Sequence, residues 1–128
     1  MEQWKCDVIR AGIDYLLNHA NESCRAVGQV ALDRFEAPAS SGEGYEETAQ
    51  VPDQDMGVVM QAGNSYSGGV PVNGEVEVDP SFWASGYTDA AHTGALEAHE
   101  EQHQNGMDWY HNTGVAMAYQ TACLNPEA

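Results

Sequence analysis

The spacing of apolar residues changes along this chain, from a helical period at the N-terminus to strict alternation in the middle. From residue 2 to about residue 20 the apolar side chains recur at helical spacing, and the pattern resumes as far as Phe35. In residues 75–79 (EVEVD), two valines alternate with acidic residues, as expected of an edge strand with one wet face. A chain of 128 residues suits one compact domain. We therefore expect a single α+β domain.

The chain divides into three parts by composition. Residues 1–35 are predicted to be helical, and residues 36–55, rich in Pro, Gly, Ser and Glu, are predicted to be a loop or mobile segment. Residues 56–128 are expected to hold strands, a motif helix and a C-terminal helix. Within them, MGVVMQAG predicts a short strand, and Asn73-Gly74 between two β-prone pieces predicts a hairpin.

Two helices are predicted after Pro80, which stops the last strand. The first begins at Asp89 or Thr93 and runs to Gln104. The second runs from Trp109 to about Leu124. A turn at Gly106 between them makes the two helices antiparallel neighbours in this interpretation.

The charge of the chain is strongly one-sided. Four basic residues stand against 20 acidic ones, for a formal net charge of −16, and no Lys or Arg follows Arg34. Such a surface repels nucleic acid and anionic membranes and attracts cationic peptides or metal ions. No run of about 18 apolar residues is present, so no membrane-spanning helix is expected. Solubility, or adaptation to high salt, is an alternative explanation of the acidity.

The cysteines and the N-terminus do not settle the compartment. Cys6, Cys24 and Cys123 allow one disulfide with a free thiol, or three buried thiols. The start, MEQWKCDVIR, is not typical of a signal peptide. A secreted, mature form of a longer precursor is favoured, and a cytoplasmic protein is the alternative.

The sequence HEEQH at residues 99–103 predicts a metal site with a catalytic base beside it. His99 and His103 are one helical turn apart, so both imidazoles project from one face and can meet at one tetrahedral zinc ion. Glu100 is rotated by about 100° from His99 and reaches beside the metal. It is placed to act as the general base toward a water whose pKa zinc lowers to about 7. In the alternative interpretation the acidic residues around the motif form a solvated face.

A zinc site of this kind needs a third protein ligand, and two candidates follow the motif. If the chain reverses at Gly106, position 111 lies opposite position 102, which favours His111. Asp108 lies nearer the turn and is the alternative ligand, although it also suits the N-cap of the last helix. Tyr110 is a candidate donor to the oxyanion of a tetrahedral intermediate, or a packed aromatic.

The stretch from residue 70 to residue 128 resembles the zincin metallopeptidases. Within that superfamily, VEVDPSFWASGYTDAAHTGALEAHEEQH and the later VAMAYQTACLNPEA look similar to the deuterolysin-type (aspzincin, lysine-specific) endopeptidases. The resemblance implies zinc ligation by His99 and His103 and catalysis by Glu100. In that family the third ligand is an Asp before a Tyr, which points to Asp108 in GMDWYH.

These observations predict a minimal zincin-like zinc metalloendopeptidase. Its substrate would be a peptide or protein, with a preference for cationic ones, bound in extended form along the edge strand. The alternative is a non-catalytic acidic interaction protein, an inhibitor or decoy of a basic partner, with a structural metal or none.

Overall fold

The computed structural model describes residues 1–37, 44–47, 60–63, 66–67, 70–71, 75–104 and 109–127, with the backbone alone in 60–75 and 109–113. These residues form an α+β fold. The helices are α1 (Gln3–Leu17), α2 (Glu22–Phe35), α3 (Ala90–Gln102) and α4 (Trp109–Leu124), with a 3-10 helix at Pro80–Ala84. The strands are β1 (Tyr45–Glu47), β2 (Met60–Gly63), β3 (Tyr66–Ser67), β4 (Val70–Pro71) and β5 (Glu75–Val78).

The helical N-terminal third is confirmed as two helices. On α1 the apolar period places Ile9, Ile13 and Leu16 in the core with no exposed surface. The chain then turns, and the side chain of Asn21 caps α2 by accepting from the backbone N–H of Ser23 at 2.8 Å. The polar stretch at residues 18–23 (NHANES) therefore contains the boundary between α1 and α2.

The strand β5 is central, so the predicted edge strand is wrong. It pairs with β1 in parallel and with β2 antiparallel, in the order β1-β5-β2. Val76 and Val78 are fully buried while Glu77 keeps partial exposure. The alternation of valine and acidic residues therefore predicted correctly which face of the strand is buried and which is more exposed. It carried no information about the two hydrogen-bonding edges, which depend on distant partners.

The strand pairing of the predicted hairpin around Asn73-Gly74 is also wrong, and the turn residues themselves lie outside the described part of the chain. The strand before it, β4, pairs with β3 in a separate two-stranded sheet, and β5 pairs elsewhere. The short strand β1 lies within the segment predicted as a loop, and its pairing with β5 joins residues about 30 positions apart along the chain. The strand predicted in MGVVMQAG is present as β2.

The core has two parts that meet along α3. One lies between α1, the sheet and the 3-10 helix, and the other lies where α1, α2, α3 and α4 converge. Their buried apolar members are Ile9, Ile13, Ala31, Tyr45, Val76, Val78, Phe82 and Leu96 in the first, and Leu16, Cys24, Val27, Ala98 and Cys123 in the second. Cys24 and Cys123 form a disulfide, and Cys6 is a half-buried thiol.

Two glycines let α1 and α3 approach closely. A Cβ added at Gly12 would lie 2.9 Å from the backbone N of Gly94, and one added at Gly94 would lie 2.8 Å from the backbone O of Gly12. Real Cβ atoms do not come so near to backbone atoms, so the helices would have to separate. The close crossing brings the middle of α3 directly onto α1.

We expect Gly12→Ala to destabilise the fold by about 1–3 kcal/mol, the usual cost of overpacking, despite the better helix propensity of alanine. Urea unfolding followed by circular dichroism measures this change. Gly114→Ala is the matched control, because a Cβ at this helical glycine of α4 meets no atom within 4 Å. It should leave stability unchanged or raise it by about 0.5–1 kcal/mol. Equal effects of the two substitutions would contradict the close crossing.

None of the helices in the described part of the chain has the length and apolar character needed to cross a membrane.

Candidate metal centre

The N-cap residue Asp89 sets the start of the motif helix. Asp89 accepts from the backbone N–H of His92 at 3.1 Å, which fixes the first turn of α3 at Ala90. The first of the two predicted starts is therefore confirmed. The helix ends at Gln102, and His103 is its C-cap residue with near-helical backbone angles. Both histidines of the motif consequently lie in the last turn.

The two histidines of the motif face each other. Nε2 of His103 lies 3.1 Å from Nε2 of His99, and the ring centroids are 4.9 Å apart. Both side chains are buried, with 0% and 2% of their residue surface exposed. The spacing of one helical turn therefore brings two ligand-type nitrogens to one point, as the sequence predicts.

Glu100 lies beside this pair of nitrogens. Its Oε1 is 3.8 Å from Nε2 of His99, and the carboxylate is fully buried. One nitrogen from each histidine and one oxygen of Glu100 all lie within 4.8 Å of one another. Among the residues that the structure describes, these three form the one such group.

The donor set and its geometry fit a zinc ion. Two Zn–N bonds of about 2.0–2.1 Å at a tetrahedral angle separate the nitrogens by about 3.3 Å, close to the 3.1 Å between the two Nε2 atoms. Imidazole nitrogen is a preferred zinc ligand, and a carboxylate at this distance can act as a further ligand or as a base.

The candidates for the third ligand lie at the start of α4. His111 and Tyr110 belong to its first turn, and α4 packs along α3. Their side chains are outside the described part of the structure, as is Asp108 altogether. His111 and Asp108 therefore both remain predictions for the third ligand, and Tyr110 remains a prediction for the oxyanion donor.

The acidic residues of the motif helix are not a solvated face. Glu97, Glu100 and Glu101 are 0%, 0% and 3% exposed. Burial raises the pKa of Glu97 well above its usual range, and the negative charges of Glu101 and Asp14 add to the shift. Both carboxylate oxygens of Glu97 lack a hydrogen-bond partner among the described residues. A protonated Glu97 packed against Gly12 is the form that this environment favours.

Because the pKa of Glu97 is raised in the folded protein, we expect the free energy of unfolding to decrease as the pH rises. Above about pH 4.5 the unfolded chain releases this proton while the fold retains it, so stability drops by up to about 1.4 kcal/mol per pH unit until the folded pKa is passed. We expect Glu97→Gln to reduce this slope, leaving the part that comes from Glu101, whose pKa is also raised, and to unfold at higher urea than wild type at pH 7. Urea unfolding at pH 4, 5.5 and 7 with a chelator measures it. The exposed Glu46→Gln is the control, and a parallel slope in Glu97→Gln would refute the assignment.

An ion pair that the sequence did not predict lies beside the motif. Arg34 of α2 contacts Glu101 through Nε to Oε2 at 2.7 Å and Nη2 to Oε1 at 3.1 Å, with Tyr45 Oη donating to the same Oε2 at 3.3 Å. Burial raises the pKa of Glu101, and the hydrogen bonds from Arg34 oppose the rise. The signal in the sequence was an Arg at a core position of an apolar helical face, which requires an acidic partner when buried.

The remaining histidines of the described chain have structural contacts. His19 is buried. Its Nδ1 accepts from the backbone N–H of Asn21 at 2.9 Å, so Nε2 carries the proton and donates to the carbonyl of Cys123 at 3.1 Å. His92 is partly exposed and contacts Asp89 at 2.9 Å, in the first turn of α3.

No protein-family model, curated protein or solved structure matches this chain.

Proposed function

We propose that this protein is a zinc-dependent metalloendopeptidase with a minimal zincin-like fold. The observation that carries the proposal is the 3.1 Å separation of the Nε2 atoms of His99 and His103 with the Glu100 carboxylate beside them. In this proposal the two histidines and one residue near the start of α4, His111 or Asp108, hold the ion. The position of α4 along α3 supports a third ligand from that segment.

Each residue of the group has a distinct role in hydrolysis. His99 and His103 would hold the zinc ion, which when bound would supply Lewis-acid polarisation of the scissile carbonyl and a lowered pKa of the attacking water. Glu100 would take the proton from that water and deliver it to the leaving amine nitrogen. Tyr110 would donate a hydrogen bond to the carbonyl oxygen as negative charge develops there.

The substrate would bind as an extended strand on β2 rather than on β5. The strand β5 is enclosed between two partners, whereas β2 is an outer strand of the three-stranded sheet and contacts α3. A peptide paired with the backbone of β2 would lie beside the motif helix. This arrangement is the support for the zincin-like assignment beyond the motif itself.

The charge distribution favours a cationic substrate. All four basic residues of the chain are engaged by its own oxygens: Lys5 by Glu47, Arg10 by Asp14, Arg25 by the carbonyls of residues 19 and 20, and Arg34 by Glu101. Three of the four cations are thus paired with carboxylates, in a chain whose formal net charge is −16. Such a surface attracts Lys- or Arg-rich peptides over distances of about 10 Å in moderate salt.

Metal content is the direct test. After reconstitution at neutral pH and removal of loose metal, elemental analysis should find one zinc per chain in the wild type and almost none in His103→Ala. His92→Ala is the matched control, because it removes a partly exposed histidine from the same helix and should retain the zinc. Absence of zinc from the wild type, or equal zinc in His103→Ala, would overturn the proposal.

A second candidate is a non-catalytic acidic protein in which the same residues hold a structural metal. The complete burial of His99 and Glu100 favours it, because a catalytic site keeps a position open to water and substrate. Cleavage of casein and of a lysine-containing peptide library separates the two candidates. One zinc per chain without any cleavage, together with salt-sensitive binding to a polycation, would select the second candidate.

A further inference from the structure

A buried ion pair joins α2 to the last turn of the motif helix. The Arg34 guanidinium binds both carboxylate oxygens of Glu101, at 2.7 and 3.1 Å, and the two side chains are 5% and 1% exposed. A two-point contact between a guanidinium and a carboxylate restricts the orientation of both groups as well as their distance. Tyr45 adds a third contact from β1, so α2, α3 and the sheet meet at one carboxylate.

The last turn of α3 is the part of the helix that most needs an anchor. The backbone N–H of His103 bonds to the carbonyl of Glu100 at 3.1 Å, and that of Gln104 bonds to the carbonyl of Glu101 at 3.1 Å. Both are hydrogen bonds from residue i to residue i−3, the 3-10 pattern that is common at helix ends, where helices fray. His103 is the C-cap residue itself. Its place opposite His99 therefore depends on a turn that its own hydrogen bonds hold weakly.

We propose that the Arg34–Glu101 pair is a positioning device for the metal centre. Glu101 lies two residues before His103 in the same turn, and its side chain is held from outside the helix by Arg34 and Tyr45. This contact keeps the turn from residue 99 to residue 103 helical, so the two imidazoles stay directed at one point. The metal-binding part of the inference rests on the proposed function, whereas the anchoring of the turn does not.

The test removes both charges together, because removal of either one alone leaves a buried charge without its partner. The variant Arg34→Met/Glu101→Gln keeps the side-chain size and an acceptor for Tyr45. The matched control is Lys5→Met/Glu47→Gln, which removes a 2.7 Å ion pair that joins α1 to β1. Arg34→Lys, which retains the charge and loses the planar fork, is the conservative variant.

Two quantities are measured for each variant, the rate of amide hydrogen exchange and the affinity for zinc. Amide hydrogen exchange is followed by NMR in the metal-free proteins, and the zinc Kd is obtained by competition with a chelator. We expect exchange at His103 and Gln104 to accelerate about tenfold or more in the double variant, with exchange at Leu96 near the wild-type rate. The zinc Kd should rise about tenfold, as it does when outer contacts of metal ligands are lost. For Arg34→Lys, the exchange rates and the zinc Kd should lie between those of the wild type and of the double variant. The Lys5→Met/Glu47→Gln control should match the wild type in both measurements.

The outcomes separate this inference from the proposed function. Unchanged exchange at His103, or equal acceleration along all of α3, would overturn the positioning role, since the latter reports only a general loss of stability. If the wild type binds no zinc, the proposed function fails, and accelerated exchange confined to the last turn still supports anchoring by Arg34. If the double variant does not fold, the Arg34→Lys exchange pattern decides in the same way.

Discussion

Glu100→Gln is expected to abolish peptide hydrolysis while leaving zinc in place. The amide has the shape of the carboxylate, yet it cannot accept a proton from water or pass one to the leaving amine. Loss of a positioned general acid and base lowers a rate by about 10²–10⁴-fold. The position of Glu100 Oε1, 3.8 Å from Nε2 of His99, suits that role beside the ion. Measurement of kcat/KM on a lysine-containing peptide, with zinc content in the same preparation, gives both quantities.

The zinc content makes this variant diagnostic. His103→Ala should lose zinc and activity together, whereas Glu100→Gln should lose activity alone. Glu46→Gln, at an exposed position on β1, removes the same charge and should retain both. Loss of zinc from Glu100→Gln would identify Glu100 as a ligand, and that result would favour the structural metal site over the peptidase. Full activity in Glu100→Gln would remove it from the mechanism.

Loss of the disulfide is expected to produce the largest change in stability. Cys24 of α2 and Cys123 of α4 are buried and are separated by 99 positions in the sequence. Closing a loop of about 100 residues restricts the unfolded chain by about 4–5 kcal/mol in the chain-entropy model. We expect Cys24→Ser/Cys123→Ser to lose about that much in free energy of unfolding, and to melt at least about 10 °C below the wild type.

Thermal unfolding and thiol titration check this expectation. Cys6→Ser is the matched control, because Cys6 is the free thiol and its replacement should change the melting temperature little. Titration of the denatured wild type should detect one thiol before reduction and three after it. Three thiols before reduction, or equal melting temperatures for the double serine variant and the wild type, would show that the disulfide does not form. A persistent disulfide is typical of an oxidising compartment.

The helices and the close approach of His99 and His103 were accessible from the sequence because both depend on local spacing. The apolar period of residues 1–35, the start of α3 at Asp89 and the span of α4 follow from contacts between near neighbours in the chain. The four-residue separation of His99 and His103 likewise places their nitrogens together as soon as a helix forms. The third ligand could not be chosen in this way, because it depends on how α4 meets α3.

The sheet was predicted poorly because strand pairing is not local. The alternation of Val76 and Val78 with acidic residues identified a buried face, while the partners of β5 come from about 15 and 30 residues earlier in the chain. The Asn73-Gly74 turn signal suggested a local partner that the long-range pairs displaced. Short strands have weak patterns of their own, and their place is decided by the surface against which they pack.

The sequence by itself determined an acidic chain with paired helical segments and a His-Glu-His group on one helix. Composition and a period of 3.6 residues are sufficient for these features. Tertiary structure alone decided that the Glu97, Glu100 and Glu101 carboxyls are buried, that Arg34 reaches Glu101, and that Cys24 meets Cys123. The physical reason is that burial and pairing are properties of surfaces brought together from distant parts of the chain. The same acidic residues would form a solvated face if α1, α2 and α4 did not enclose α3.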